Sequence, residues 1–332
     1  MHPVTMRDVA QRAQVSIRTV SRVVNHQGEI TETTRQRVLA TIEELSYRPS
    51  KVARALVTQR TDSIGLIVGD IANPFFSEVA RAVQGAARTA GYNVFFCSSA
   101  GSWEEELRAL DSLADHGVDG IIISPSPGLT SERIRPFADR YCPIVTVAHA
   151  IAHSRISSIV VATRTGARHA VEYLIGKGHT CIGMLAGPAP SPLLQSRVQG
   201  YRDALLSQGI VFRSELVLSG TPTFERGHIL ARDLLIRCRD ITAIFAYNDL
   251  LALGAMRACR ELGRRIPDEC AIIGFDDIPP ANWISPALTT VRVDKHALGA
   301  QAMARLLEML DEPELQFAPV FVPAELVVRE SA

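Results

Sequence analysis

The stretch VSIRTVSRVVN, Val15 to Asn25, sets Ile17, Val20, Val23 and Val24 at helical spacing and fills the gaps between them with Arg18, Thr19, Ser21 and Arg22. Apolar positions at that spacing attach a helix to a core, so the polar groups between them are turned outward. Immediately before it, MRDVAQRA (Met6 to Ala13) reads as another helix, joined to the second by the short turn QVS. Two helices joined so tightly form a helix-turn-helix, in which the N-terminal residues of the second helix face base edges in the major groove. Arg18 and Arg22, one turn apart, are suited to bidentate contacts with guanine, and Ile17 to a thymine methyl. Ser16, Thr19, Ser21 and Asn25 are better suited to phosphates, which fix register without carrying sequence information. An ordinary amphipathic helix with solvated arginines is the plainer alternative, and the rest of the chain argues against it.

The overall charge of +0 hides a sorting by region. Residues 1–60 carry 10 Lys and Arg against 5 Asp and Glu, and the remaining residues carry 25 against 30. A small basic unit joined to a larger, mildly acidic body implies a polyanionic partner for the first and a different one for the second. Within the basic part a third helix is expected from Thr33 to Leu45 with Thr31 as its cap, and no strand pattern occurs there. Helical pattern breaks at Pro49 and resumes at Ser50 for about two turns before Thr61, which is the pattern of a linker with helical potential.

From Ser63 onward short apolar runs alternate with amphipathic helices. SIGLIV, NVFFCSS, GIIIS, PIVTVA, SSIVV, CIGMLAG, LVLSG, AIFAY and AIIGF read as strands, with helical patterns such as Ser77 to Ala90 and Glu104 to His116 between them. That rhythm predicts parallel sheets covered on both faces, which bind ligands at the carboxyl ends of their strands. The region is long for a single doubly wound domain. A break near VAHAIAHSRISS suggests two similar halves, with the last segments crossing back between them. The six cysteines are scattered without a CxxC pair, so reduced buried thiols and no structural metal are expected. No apolar run is long enough to span a membrane and no signal-peptide core opens the chain, so a soluble, cytoplasmic protein without a membrane partner is expected.

Several motifs in order, TMRDVAQRAQVSIRTVSRVVN, SYRPSKVARAL, IGLIVGDIANPFF, YNDLLALGAMRA and IIGFDD followed by SPALTTV, give the whole chain a resemblance to the LacI/GalR family of bacterial transcription regulators. The resemblance implies an N-terminal all-α helix-turn-helix head (residues 1–46), a hinge (47–61) and an α/β two-lobed, periplasmic-binding-protein-like body with parallel sheets (62–332). It also implies a homodimer on double-stranded operator DNA, with Leu56 as a hinge residue wedged into the minor groove, where an apolar wedge kinks the duplex. Packing inside a hinge contact is the alternative for Leu56. Two positions depart from the family pattern: Gln14, in the turn, and Ser46, where a helix ends, stand where relatives have Gly, or Gly or Asn. If both keep a positive φ, each costs about 1 kcal/mol and leaves a less stable but folded head.

The family's ligand lies between the lobes, and the matching positions carry suitable chemistry. Phe75 and Phe76 are placed to stack on the apolar face of a sugar ring, and Arg197, Asn248 and Asp276 to bind its hydroxyls. Taken singly the residues have plainer roles: Phe75 and Phe76 as core, Asn248 and Asp276 as caps, Arg197 in a surface ion pair. Val161 and Ala162 stand where relatives commonly have Asp-Asn, and Val147 and Ala148 are apolar too, so one side of the pocket is expected to be less polar. No GxSxG, Walker loop, GxGxxG after the first strand or HExxH occurs, and His149 and His153 lack a third ligand. A catalytic site, a cofactor and a metal are therefore not expected. The expected function is a repressor, rather than an activator, controlled by a small sugar or sugar derivative. A stand-alone sugar carrier is the alternative, and an enzyme with a DNA-binding appendage ranks behind it.

Substituting Arg22→Ala should cost ~1 to 3 kcal/mol on the cognate operator and little on random DNA. Equal losses on both duplexes in a binding titration would reassign Arg22 to a phosphate.

Overall fold

Three helices build the head: α1 (Met6–Ala13), α2 (Ile17–Val24) and α3 (Glu32–Glu44). The computed structural model describes residues 4–24, 28–47, 60–140, 142–189 and 191–332, so Asn25, Leu56 and most of the 47–61 segment lie outside the described residues. Packing divides the chain into two units, Met1–Thr61 and Asp62–Ala332. A capping box starts α1: the Asp8 amide donates to Thr5 Oγ1, and the Thr5 amide donates to Asp8 Oδ2 at 2.8 Å. Val9, Ala13, Val20, Val23, Val38 and Tyr47 form the core of the head, so the valines of α2 do hold it to its neighbours. Thr31 sits at the N-cap position of α3, but its hydroxyl donates to Thr34 Oγ1 at 2.9 Å and takes no backbone amide. The expected cap is therefore a position without the bond. Gln14 (φ 53°) and Ser46 (φ 49°) both adopt the left-handed region.

The body is two lobes, each a six-stranded sheet. The first, the N-lobe, grows from β1 (Ser63–Val68), α4 (Pro74–Thr89), β2 (Asn93–Ser98), α5 (Trp103–Asp115), β3 (Gly120–Ile123), α6 (Ser131–Arg140), β4 (Ile144–Ala148) and β5 (Ile156–Val161). All six residues of β1 are buried, as a central parallel strand covered on both faces requires. After β5 the chain passes into the C-lobe: α7 (Thr163–Gly176), β6 (Ile182–Ala186), α8 (Pro192–Ser207), β7 (Val217–Ser219), α9 (Phe224–Arg237), β8 (Ala243–Ala246), α10 (Asp249–Glu261), β9 (Ala271–Asp276), α11 (Pro280–Trp283) and β10 (Thr289–Val293). It returns as α12 (Lys295–Asp311) and β11 (Val320–Val322), then crosses a third time to end in β12 (Ala324–Val327). Strand order is β2-β1-β3-β4-β5-β11 in one sheet and β7-β6-β8-β9-β10-β12 in the other, with β12 the antiparallel edge.

The break expected near residues 147–158 is displaced. β4 and β5 are parallel neighbours in one sheet, and residues 149–155 return the chain between them without a helix. Strand-helix alternation stops there for that reason, while the change of lobe comes at Val161–Thr163. All nine strand readings correspond to observed strands; the last three, β10 to β12, are additional.

Because Gln14 and Ser46 hold a backbone conformation that glycine adopts without strain, Ser46→Gly or Gln14→Gly should each raise head stability by about 1 kcal/mol. Amide exchange in α1 to α3 measures it, since protection there reports local opening.

Candidate functional site

Loops at the carboxyl ends of both sheets enclose a cavity of about 100 Å³. All five residues singled out for the ligand line it: Phe75 and Phe76 from the N-lobe, Arg197, Asn248 and Asp276 from the C-lobe. Asn73 caps α4 by accepting the Phe75 amide at 3.0 Å, and that cap, with Pro74 in the first turn, aims the two rings. Phe75 and Phe76 meet edge to face, centroids 5.3 Å apart. Phe75 is buried in the core as well as lining the cavity, so both of its readings hold.

Arg197 projects from α8 and is buried, not at the surface. Its guanidinium lies between the Tyr247 and Phe275 rings, 4.1 and 3.9 Å from their centroids. It donates to the Tyr247 carbonyl, sits 3.4 Å from Asp276 Oδ1, and leaves Nε without a partner. Asn248 does cap a helix: Oδ1 accepts the Leu251 amide at 3.0 Å, and Nδ2 reaches the Pro222 carbonyl only at 3.4 Å. Capping fixes Asn248 at the rim without using both of its lone pairs.

Asp276 ends β9 at φ 108°, strained for a non-glycine residue and held by its surroundings. Next to it Asp277 accepts from Arg292 (2.7 Å) and Arg329 (2.6 Å). Burial alone would raise the Asp277 carboxyl, yet these two guanidiniums keep it below the usual carboxylate range. Beneath them Asp249 binds the Ile278 amide at 2.8 Å and Thr290 Oγ1 at 2.5 Å. Gly274 makes room for it, since a Cβ there would lie 2.1 Å from Asp249 Oδ1. Burial and the nearby Asp276 charge push Asp249 well above the carboxylate range, against the pull of its bonds from Thr290 and Ile278. Burial likewise raises Asp276, to about 6, against the opposing pull of Arg197 and Lys295. The sequence reading missed Asp249 and Tyr247, whose neighbours in YND drew the attention. On the opposite wall Ala148 and Val161 are apolar, as expected. His149 is buried, held neutral with its pKa pushed down to about 4, while His153 lies 3.3 Å from Asp139, so the two histidines have separate surroundings. Among the described residues no three ligating side chains cluster, and each cysteine is free.

In the head, Ser16, Ile17, Arg18 and Arg22 are exposed and Thr19 and Ser21 half-buried along α2. Arg12 pairs with Glu44 and Arg35 with Glu32, but among the described residues no carboxylate pairs with Arg18 or Arg22. Ser16 caps α2, accepting the Thr19 amide at 3.1 Å.

A helix-turn-helix head joined to a two-lobed α/β body, with a cavity between the lobes lined by aromatic rings and a buried Arg–Asp pair, defines a ligand-responsive transcription regulator. The model of "Bacterial regulatory proteins, lacI family" matches residues 5–50, and that of a "Periplasmic binding protein-like domain" matches residues 171–332. The ribose operon repressor of Halalkalibacterium halodurans is 36% identical over 98% of this chain and 96% of its own. A transcriptional repressor PurR of Vibrio vulnificus is 34% identical over 98% of both. Among solved structures, the Lac repressor bound to ONPG in its repressed state superimposes with a TM-score of 0.88 at 29% identity, covering all of both chains. The chain belongs to the lacI family of bacterial regulatory proteins. It is a sequence-specific DNA-binding regulator of the repressor type, controlled by a small effector, and its named relatives are transcriptional repressors, not enzymes. No described helix is long and apolar enough to cross a membrane.

A ligand that donates hydroxyl protons to Asp276 needs that carboxylate ionised. With its pKa at about 6, affinity should hold above pH 7 and fall by up to ~tenfold per pH unit below the pKa. Titrations from pH 5 to 8 measure the slope, and Asp276→Asn should abolish it.

Proposed function

We propose that this chain is a cytoplasmic, homodimeric repressor without catalytic activity, released from or tightened on a two-fold operator by a small neutral sugar of pentose size. The observation carrying this reading is the convergence of Phe75, Phe76, Arg197, Asn248 and Asp276, from two lobes, on one cavity. An aromatic wall beside an arginine-carboxylate pair suits a polyol, whose ring has an apolar face and a rim of hydroxyls. Arg197 and Asp276 offset each other in charge, so an anionic sugar phosphate or sugar acid would lack its own counter-ion. Size points the same way: a small cavity of about 100 Å³ favours one small ring over a disaccharide.

The DNA contacts fall to Ser16, Ile17, Arg18, Thr19, Ser21, Arg22 and Asn25, with Leu56 of the 47–61 hinge as the minor-groove wedge between head (1–46) and body (62–332). Homodimerisation is favoured by the edge of the N-lobe, where Phe95 and Phe96 of β2 and Ile71 of the turn before α4 stand in solvent. Two heads then read half-sites about one helical turn apart. Effector and operator are linked thermodynamically: a ligand that prefers one arrangement of the lobes changes DNA affinity by its differential binding energy, typically ~1 to 3 kcal/mol.

A thermal-shift panel of pentoses, hexoses, sugar acids and sugar phosphates should give its largest shift with a neutral pentose. Against that sugar, Asp276→Ala should lose at least about tenfold in affinity, since each charge-assisted bond is worth ~1.5 to 3 kcal/mol. The same variant should still fold and bind operator yet no longer respond to sugar. Unchanged sugar affinity by calorimetry would move the site elsewhere.

A further inference from the structure

Lys295 opens α12 where the chain re-enters the N-lobe, and its ammonium is a junction between the lobes. Nζ donates to the main-chain oxygens of Asp276 and Asp277, each at 2.7 Å, on the C-lobe side. On the N-lobe side it lies 3.3 Å from Glu78 Oε2 of α4. The lysine side chain is 10% exposed and that of Glu78 22%, so water weakens this contact far less than it would a surface pair. The two grips differ in kind. Those on the carbonyls are short and directed, whereas Glu78 Oε2 is a buried oxygen without a hydrogen bond, in contact by charge alone. The other Glu78 oxygen lies 3.6 Å from the exposed Arg81.

Glu78 stands one turn beyond Phe75 on the helix that brings both phenylalanines to the cavity. α4 and α12 are also in close backbone approach, for a Cβ at Gly299 would lie 2.8 Å from the Val79 oxygen. Asp276 therefore has two faces in use: its carboxylate lines the cavity and its carbonyl is held by Lys295. A ligand that draws on the carboxylate therefore acts on a residue whose backbone is already strained.

We propose that Lys295 is a positioning residue that couples occupancy of the cavity to the setting of α4. A shift of the Asp276–Asp277 carbonyls is followed by Nζ, whose bonds to them are directed. The looser contact to Glu78 then tightens or opens, and the N-lobe moves with it. The inference rests on the effector reading above, yet the link also sets the balance of lobe arrangements without ligand, so it is measurable alone.

The test uses the full-length protein and a palindromic duplex that the wild type selects from a randomised pool. Operator affinity is measured for wild type, Glu78→Gln, Lys295→Met, Lys295→Arg and the Glu78→Gln/Lys295→Met double variant, without sugar and with D-ribose. Without sugar, Glu78→Gln and Lys295→Met should each shift operator Kd about threefold or more, in the same direction, and the double variant should match the singles instead of multiplying them. Lys295→Arg keeps the cation and should stay near wild type. A lysine of merely structural consequence would lower the melting temperature and leave operator Kd alone. That result, or independent losses that multiply in the double variant, overturns the proposal. If wild type ignores D-ribose, the pentose reading falls while the sugar-free cycle still decides the role of Lys295.

Discussion

A guanidinium buried between two aromatic rings is tolerable only if its charge is answered within a few ångströms. Arg197 meets that demand with Asp276 and the Tyr247 carbonyl, and much of the C-lobe rim follows from it. Asp276 presents that carboxylate at the end of β9 in a strained backbone conformation, flanked by Asp277 with its partners Arg292 and Arg329 and by Asp249, which accepts the Ile278 amide. Even the carboxyl-terminal segment is recruited: Arg329 grips Asp277, and Ser331 donates to the Ile272 carbonyl at 2.6 Å. The polar cluster surrounds one ion pair, and among the described residues Arg197 Nε is its buried atom without a hydrogen bond.

The head obeys a different economy. Its core is small, so its helix ends and turns weigh heavily in its stability. The capping box at Thr5 and Asp8 and the Arg12–Glu44 pair favour the fold, while Gln14 and Ser46 in left-handed geometry work against it. Among the described residues no carboxylate pairs with Arg18 or Arg22 on the outward face of α2, which is what a helix intended for an external polyanion should look like.

How far the sequence could be read depended on whether a feature was local. The helices of the head and the alternation of the body are written in periodicity, and the five cavity residues fall at the end of a strand or in the connection or helix that follows one, on the side where open parallel sheets bind. The 149–155 connection misled because a parallel return without a helix leaves no periodic trace, and β11 and β12 went unread because Pro323 interrupts the run that holds both. Thr31 had the right residue type for a cap, but bond geometry is not in the alphabet. Asp249 and Lys295 escaped because their meaning lies in partners distant along the chain: Thr290 for one, Glu78 for the other.

The three passages between lobes have a genetic consequence. Each sheet is completed by chain that has already visited the other: β11 reaches the first sheet only after the second is nearly finished, and β12 closes the second only after that. A gene fusion with one junction inside the body would therefore give one lobe a strand and a helix from the wrong parent. Recombination between relatives can exchange the head at a single joint, since the 1–61 unit ends where the body begins. Trading a whole lobe needs three joints at once. Operator preference in such a lineage is free to be shuffled, whereas ligand preference must change by point substitution around the cavity.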